Sequence, residues 1–141
     1  MEKIKIYING REIITEKGKT ILEVAKDGIE IPHLCNHPDL IPNGACRLCI
    51  VEVKGEKRPV VSCCFPVYEG MEIFTETEKI KELRKMTLQL IISDHPLDCM
   101  TCEKSGDCLL EKYAYEYGIK KIEYEGEKGK RKQKDGAPFI I

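Results

Sequence analysis

Eight cysteines sit in a chain of 141 residues, and their spacing is the first chemical signal. Cys35, Cys46, Cys49 and Cys63 read Cys-x10-Cys-x2-Cys-x13-Cys. Further on, His95, Cys99, Cys102 and Cys108 read His-x3-Cys-x2-Cys-x5-Cys. Soft thiolates in groups of four are what iron–sulfur clusters require. A CxxC pair offers two sulfurs from one tight turn, while the other ligands can come from farther along. The loop Asn43-Gly44-Ala45-Cys46 supplies small residues where backbone must wrap a cluster closely. Its amides could then hydrogen-bond to sulfur and tune the potential.

Other chemistries compete for the same residues. Disulfides belong to oxidising compartments, whereas thiols kept reduced at CxxC spacings read as metal ligands. Zinc accepts one histidine with three cysteines, so the second group alone leaves zinc open. For the first group zinc is disfavoured because the chain's two CxxC pairs, Cys46/Cys49 and Cys99/Cys102, lie much farther apart than the roughly 15–20 residues of a zinc ribbon. A Rieske centre needs two histidines on one iron. Cys35-Asn36-His37 provides half of that, but the second pair ends in Cys49. A thioredoxin-like CxxC leaves the remaining cysteines unexplained. His33 and His37 read as plain loop histidines. Cys63 and Cys64 are adjacent, and spacing does not separate them. The reading favours Cys63 as ligand and leaves Cys64 a buried thiol, because neighbours in an extended segment face opposite ways. In the second group, an imidazole in place of a thiolate makes the site less negative, which favours electron arrival.

The elements that must position these groups follow from local patterns. Ile4–Ile8 alternates and runs into Asn9-Gly10, a hairpin signal with Arg11–Thr15 as the return strand. Thr20 and Glu23 form a capping box, opening a helix to about Asp27 that Gly28 closes. Residues 31–45, rich in proline, must form an irregular loop. Cys49–Val53, Pro59–Ser62 and Met71–Phe74 read as strands. Thr75-Glu76-Thr77-Glu78 caps a longer helix whose apolar positions are Ile80, Leu83, Met86, Leu90 and Ile91. That helix stops before His95-Pro96 and spaces the two cysteine groups. Asp107 is expected to cap a last helix through Tyr117, with Gly118 closing it.

Charge and hydropathy exclude several classes. With 23 basic and 24 acidic residues, no net basic face suggests nucleic acid. Apolar runs fall well short of the roughly 18 residues of a membrane span. Met1–Ile6 shows no signal-peptide h-region. A cytoplasmic protein with no direct membrane insertion is expected. No GxGxxG or Walker-type loop indicates nucleotide binding, and no nucleophilic constellation indicates bond chemistry.

In their order and spacing the two groups resemble the N-terminal iron–sulfur region shared by the large iron–sulfur subunit of complex I, [FeFe] hydrogenases, NAD-reducing hydrogenases and some formate dehydrogenases. The resemblance implies an α+β architecture, with a β-grasp [2Fe–2S] ferredoxin-like domain followed by a small, mainly helical [4Fe–4S] domain. It implies residues 1–76 and 77–118 for the two domains and 119–141 for an extended C-terminal tail that could dock a partner. It carries Cys35, Cys46, Cys49 and Cys63 over as [2Fe–2S] ligands and His95, Cys99, Cys102 and Cys108 as [4Fe–4S] ligands. Ser62-Cys63-Cys64-Phe65-Pro66 matches the family's segment around the fourth ligand, which supports Cys63. Family members usually continue into a double-cluster module and a catalytic domain. The expected function is therefore single-electron relay within an NAD(P)H-linked oxidoreductase, between a flavoprotein subunit and a catalytic subunit. A free-standing two-cluster ferredoxin is the alternative, and a zinc-bound interaction module a more distant one. The apolar Phe139-Ile140-Ile141 could meet a partner surface, and the basic Lys128–Lys134 could steer an acidic one.

Overall fold

The structure is a computed structural model, and it describes residues 2–126. Strands β1 (Lys3–Ile8) and β2 (Arg11–Glu16) form the hairpin that Asn9-Gly10 predicts, both turn residues lying at positive φ. Strands β3 (Ile50–Val53), β4 (Val60–Val61) and β5 (Glu72–Phe74) complete a five-stranded mixed sheet of order β2-β1-β5-β3-β4. Only the β1–β5 pairing is parallel. Alternation along β1 puts Ile4, Ile6 and Ile8 inward.

Helix α1 (Ile21–Ala25) lays Ile21, Leu22, Val24 and Ala25 into the same core as those isoleucines. The capping box is present: the Glu23 amide donates to Thr20 Oγ1, and the Glu23 carboxylate accepts from the Thr20 amide at 2.7 Å. The helix is shorter than expected and ends at Ala25, with Lys26 as C-cap. The segment from 26 to 49 contains no helix or strand, as its prolines require. The architecture is α+β.

Helix α2 (Glu78–Ser93) stops before His95-Pro96 as expected but has a different cap and a different buried face. Thr77 is the N-cap, its hydroxyl accepting from the Ile80 amide. Thr75 is instead buried and tied to the β1–β2 turn. Its amide donates to Asn9 Oδ1 at 2.9 Å, and Asn9 Nδ2 donates to its hydroxyl at 2.7 Å. The face that packs inward runs Ile80, Arg84, Leu88 and Ile92, a strict i,i+4 stripe. Of the positions expected to be buried, Met86 and Leu90 are exposed, and Leu83 and Ile91 are only partly covered.

Helix α3 (Leu109–Glu116) starts one residue later than expected, with Cys108 rather than Asp107 at the N-cap. It closes in a Schellman motif: Ile119 N donates to Ala114 O and Gly118 N to Tyr115 O, with Gly118 at φ 64°. A second buried cluster then forms from Leu48, Leu88 and Tyr113, with Leu34, Cys46, Leu110, Tyr117 and Ile119 packed around it. It draws on the first cysteine loop, on α2 and on α3 together, so both cysteine groups are fixed to one piece of hydrophobic core. The expectations for Lys128–Lys134 and Phe139–Ile141 lie outside the described residues.

Candidate metal centres

Backbone bonds between distant segments bring the first group together as two pairs, Cys49 with Cys63 and Cys35 with Cys46. Among the described residues no three donors converge on one metal position. The Ser62 amide donates to the Cys49 carbonyl at 3.0 Å, which sets the turn 62–64 against the end of the CxxC loop. The first amides of α1 reach the same turn, Ile21 N donating to Phe65 O and Leu22 N to Ser62 O. These free N–H groups of a helix start find partners on the cysteine turn. Cys49 and Cys63 are both buried and lie against each other. On the other side of the loop the Cys46 amide donates to Cys35 Sγ at 3.4 Å. Gly44 at φ 63° and Arg47 at φ 57° curl the chain around Cys46, an arrangement that turns successive amides toward one side. Asn43 Oδ1 holds the Ala45 amide at 3.0 Å and fixes this curl.

Electrostatics differ among these thiols. Burial pushes the Cys35 thiol above its ordinary value, the Cys46 thiol adding to it. At Cys46 burial works in the same direction, yet backbone hydrogen bonds from Leu48, Leu34 and Cys35 outweigh it and the thiol lies below its ordinary value. Burial drives Cys63 far up, reinforced by the neighbouring Cys64 and Cys49. A site with such a range loads metal only as its thiols release protons.

Cys64 is not the buried thiol expected of it. It is exposed, with its sulfur 3.5 Å from that of Cys63. The argument from opposite facing fails because the pair sits in a turn and not in a strand.

The second group surrounds one cavity of about 290 Å³, whose lining includes His95, Cys99, Cys102 and Cys108. His95 arrives at the end of α2, its amide bonded to Ile92 O at 3.1 Å. Cys99 opens a short 3-10 turn (Cys99–Thr101), and Cys102 closes it through a bond to Cys99 O. The Lys104 amide donates to Cys102 Sγ at 3.4 Å. Gly106 at φ 85° makes the return, its amide held by Glu111 at 2.9 Å, and delivers Cys108 to the start of α3. Ile92, Leu97, Leu110 and Ile119 supply an apolar wall.

Both donor sets fit iron–sulfur clusters. The thiols are soft ligands, backbone N–H groups already point at Cys35 and Cys102, and the buried Ser62 hydroxyl beside Cys63 has no hydrogen-bond partner among the described residues. A Cβ on Gly44 would meet Val61 Cγ1 at 3.2 Å and Cys64 Sγ at 3.3 Å, so the loop closes tightly only with glycine there.

Comparison with known proteins decides the family. Residues 1–78 match the 2Fe-2S iron-sulfur cluster binding domain. The chain belongs to that family. Within it, residues 84–123 also match the iron-sulfur binding region of NADH-ubiquinone oxidoreductase-G. The family relatives include the NADH-ubiquinone oxidoreductase 75 kDa subunit of Reclinomonas americana, 36% identical over 97% of this chain and 20% of the relative. NADPH-Fe(3+) oxidoreductase subunit alpha of Geobacter sulfurreducens is 38% identical, over 97% of this chain and 16% of its own. Among solved structures, the crystal structure of NAD+-reducing [NiFe]-hydrogenase in the H2-reduced state contains a similar chain. It has a TM-score of 0.83 and 34% identity, covering 92% of this chain and 55% of that one. The chain spans about a fifth or less of the curated relatives named here. These matches make it an iron–sulfur protein with one [2Fe–2S] and one [4Fe–4S] cluster, built on a ferredoxin-like α+β domain.

Three residues that matter to the sites escaped the sequence reading. Leu48, inside the CxxC loop, is a core anchor, Tyr113 joins it, and Arg84 is fully buried. The available signal was the stripe Ile80-x3-Arg84-x3-Leu88-x3-Ile92, in which an arginine interrupts an otherwise apolar i,i+4 run. Among the described residues no helix is long and apolar enough to cross a membrane.

Proposed function

We propose that this chain is the electron-relay segment of a cytoplasmic, multisubunit NAD(P)H-linked oxidoreductase, passing single electrons between a flavoprotein subunit and a catalytic subunit. Cys35, Cys46, Cys49 and Cys63 hold the [2Fe–2S] cluster in a β-grasp domain of residues 1–76. His95, Cys99, Cys102 and Cys108 hold the [4Fe–4S] cluster in a small, mainly helical domain of residues 77–118. When bound, these clusters supply one-electron chemistry without making or breaking bonds on the protein.

The carrying observation is that Leu48, Leu88 and Tyr113 bind both cysteine groups to one buried cluster. A relay needs its two centres at a fixed separation, and a shared core provides that. The chain's own contributions are then to position sulfur and imidazole, to direct amides at Cys35 and Cys102, and to exclude water from the buried Cys49 and Cys63. The relatives' names, NADH- and NADPH-linked oxidoreductases and a NAD+-reducing hydrogenase, support a pyridine-nucleotide-linked subunit as partner.

The test is anaerobic purification from the native source, with iron and sulfide analysis, spin-resonance spectra of the reduced protein, and identification of co-purifying subunits. The reading expects two distinct reduced signals and a flavin-containing partner. Iron-poor protein, or one carrying zinc in place of iron, overturns the cluster assignment. Cluster-loaded protein that exchanges electrons with unrelated reductases and never copurifies with a flavoprotein supports the free ferredoxin instead.

A further inference from the structure

Arg84 heads the largest fully buried side chains among the described residues, with no exposure at all. Its Nη2 donates to the Ile50 carbonyl at 2.8 Å, and its Nη1 lies 3.3 Å from Glu76 Oε1 and 3.4 Å from the Tyr117 hydroxyl. Its Nε has no hydrogen-bond partner among the described residues. Glu76 is about half in water, at 53% side-chain exposure, so solvent weakens the one carboxylate that opposes this charge. Docking a helix does not require such a group, because an apolar side chain of similar volume often serves a core equally well or better. The charge therefore calls for a task of its own.

Its location suggests one. Ile50 follows Cys49 directly, and Cys49 in turn receives the Ser62 amide next to Cys63. The guanidinium is thus fastened to the residue that follows Cys49, whose carbonyl holds the turn bearing Cys63. Reduction of a [2Fe–2S] centre adds one negative charge. A buried, permanently protonated arginine nearby stabilises that charge with little solvent screening.

We propose that Arg84 is a positioning charge for the [2Fe–2S] centre: it favours the reduced form, and the half-exposed Glu76 partly opposes it. This rests on the reading that Cys35, Cys46, Cys49 and Cys63 hold that cluster. The electron comes from the reduced flavoprotein partner of the proposed relay or, in a titration, from a low-potential chemical reductant.

The experiment is an equilibrium redox titration of the full, cluster-loaded chain, followed through the [2Fe–2S] spectrum, with iron content measured on every sample. Arg84→Gln is expected to lower the reduced-to-oxidised ratio at fixed potential by about tenfold or more, ~59 mV for a one-electron couple. Arg84→Lys keeps the charge and should stay much nearer wild type. Glu76→Gln should move the ratio the other way, and its effect should shrink at high salt because the carboxylate is exposed. A ratio unchanged in Arg84→Gln, or shifted equally in Arg84→Lys, overturns the proposal in favour of a purely structural arginine. Should Arg84→Gln fail to fold or to load iron, Glu76→Gln decides: a shift toward the reduced form supports the proposal, and none overturns it. Wild-type protein without a [2Fe–2S] spectrum instead overturns the ligand reading, and the proposal goes with it.

Discussion

Leu48, between the two cysteines of the first CxxC, and Leu88, midway along α2, are both fully buried and belong to one cluster. Through this contact the loop around one set of thiols is braced by the helix that leads to the other. Truncating Leu88 to alanine leaves a cavity at that junction, and losses of ~2–5 kcal/mol are typical of such changes. The expected outcome is a lower unfolding midpoint in denaturant together with faster bleaching of both centres. Loss confined to the second centre would show that the shared cluster does not brace the first.

Gly44 is the tightest backbone approach in the first group. At φ 63°, with Val61 and Cys64 a little over 3 Å from where a Cβ would stand, Gly44→Ala combines a left-handed strain of about 1 kcal/mol with a clash. Cluster assembly should be slowed and the protein should hold less iron after reconstitution, while the β1–β2 hairpin keeps its hydrogen-exchange protection. Gly10→Ala, with open space around it, serves as control and should leave iron content unchanged.

Local signals made much of this fold legible. The Asn9-Gly10 hairpin, the Thr20–Glu23 box, the stop of α2 before His95-Pro96 and the Gly118 closure all depend on a few neighbouring residues and appear where expected. What was not legible depends on partners far along the chain. Thr75-x2-Glu78 is as good a capping signal as any, but Asn9 takes Thr75 and the helix starts from Thr77 instead. Helix α2 carries two apolar stripes, and periodicity alone favours the one without a charge. Packing on Leu48 and Tyr113 selects the other, arginine included. Likewise, treating Cys63 and Cys64 as extended hid a turn that brings their sulfurs together. Cysteine spacing was readable because it is set along the chain, whereas the surroundings of each thiol are set across it.

Acid should weaken the anchor of the Cys63 turn. The hydrogen bond from the Thr20 backbone, with help from the Thr20 hydroxyl, holds the Glu23 carboxyl below its ordinary value, although partial burial works against it. A carboxyl with a lowered folded pKa contributes stability above its unfolded value, 4.5 for glutamate, and that contribution is lost as pH falls through the lower folded value. Because α1 bonds to Ser62 and Phe65, the effect should reach the cluster. Glu23→Gln is expected to bleach faster than wild type at neutral pH, with the two rates converging as pH drops below the carboxylate range. A rate ratio independent of pH would detach Glu23 from the stability of the first centre.

His95 gives the sharpest test of the second donor set. It shares a cavity with Cys99, Cys102 and Cys108, and it is the only neutral donor among them once the thiols ionise. Replacing it with cysteine restores an all-thiolate site and adds one negative charge, which should lower the potential of the [4Fe–4S] centre. His95→Ala removes a donor altogether and should strip or alter that centre's spin-resonance signal. In both variants the [2Fe–2S] signal and its potential should hold nearly constant, since Cys35, Cys46, Cys49 and Cys63 are untouched. An unaltered second signal in His95→Ala would show that the imidazole stands beside the cluster and does not bind it, and the fourth donor would have to be sought among the other side chains lining the cavity, Asp98 and Glu111 among them.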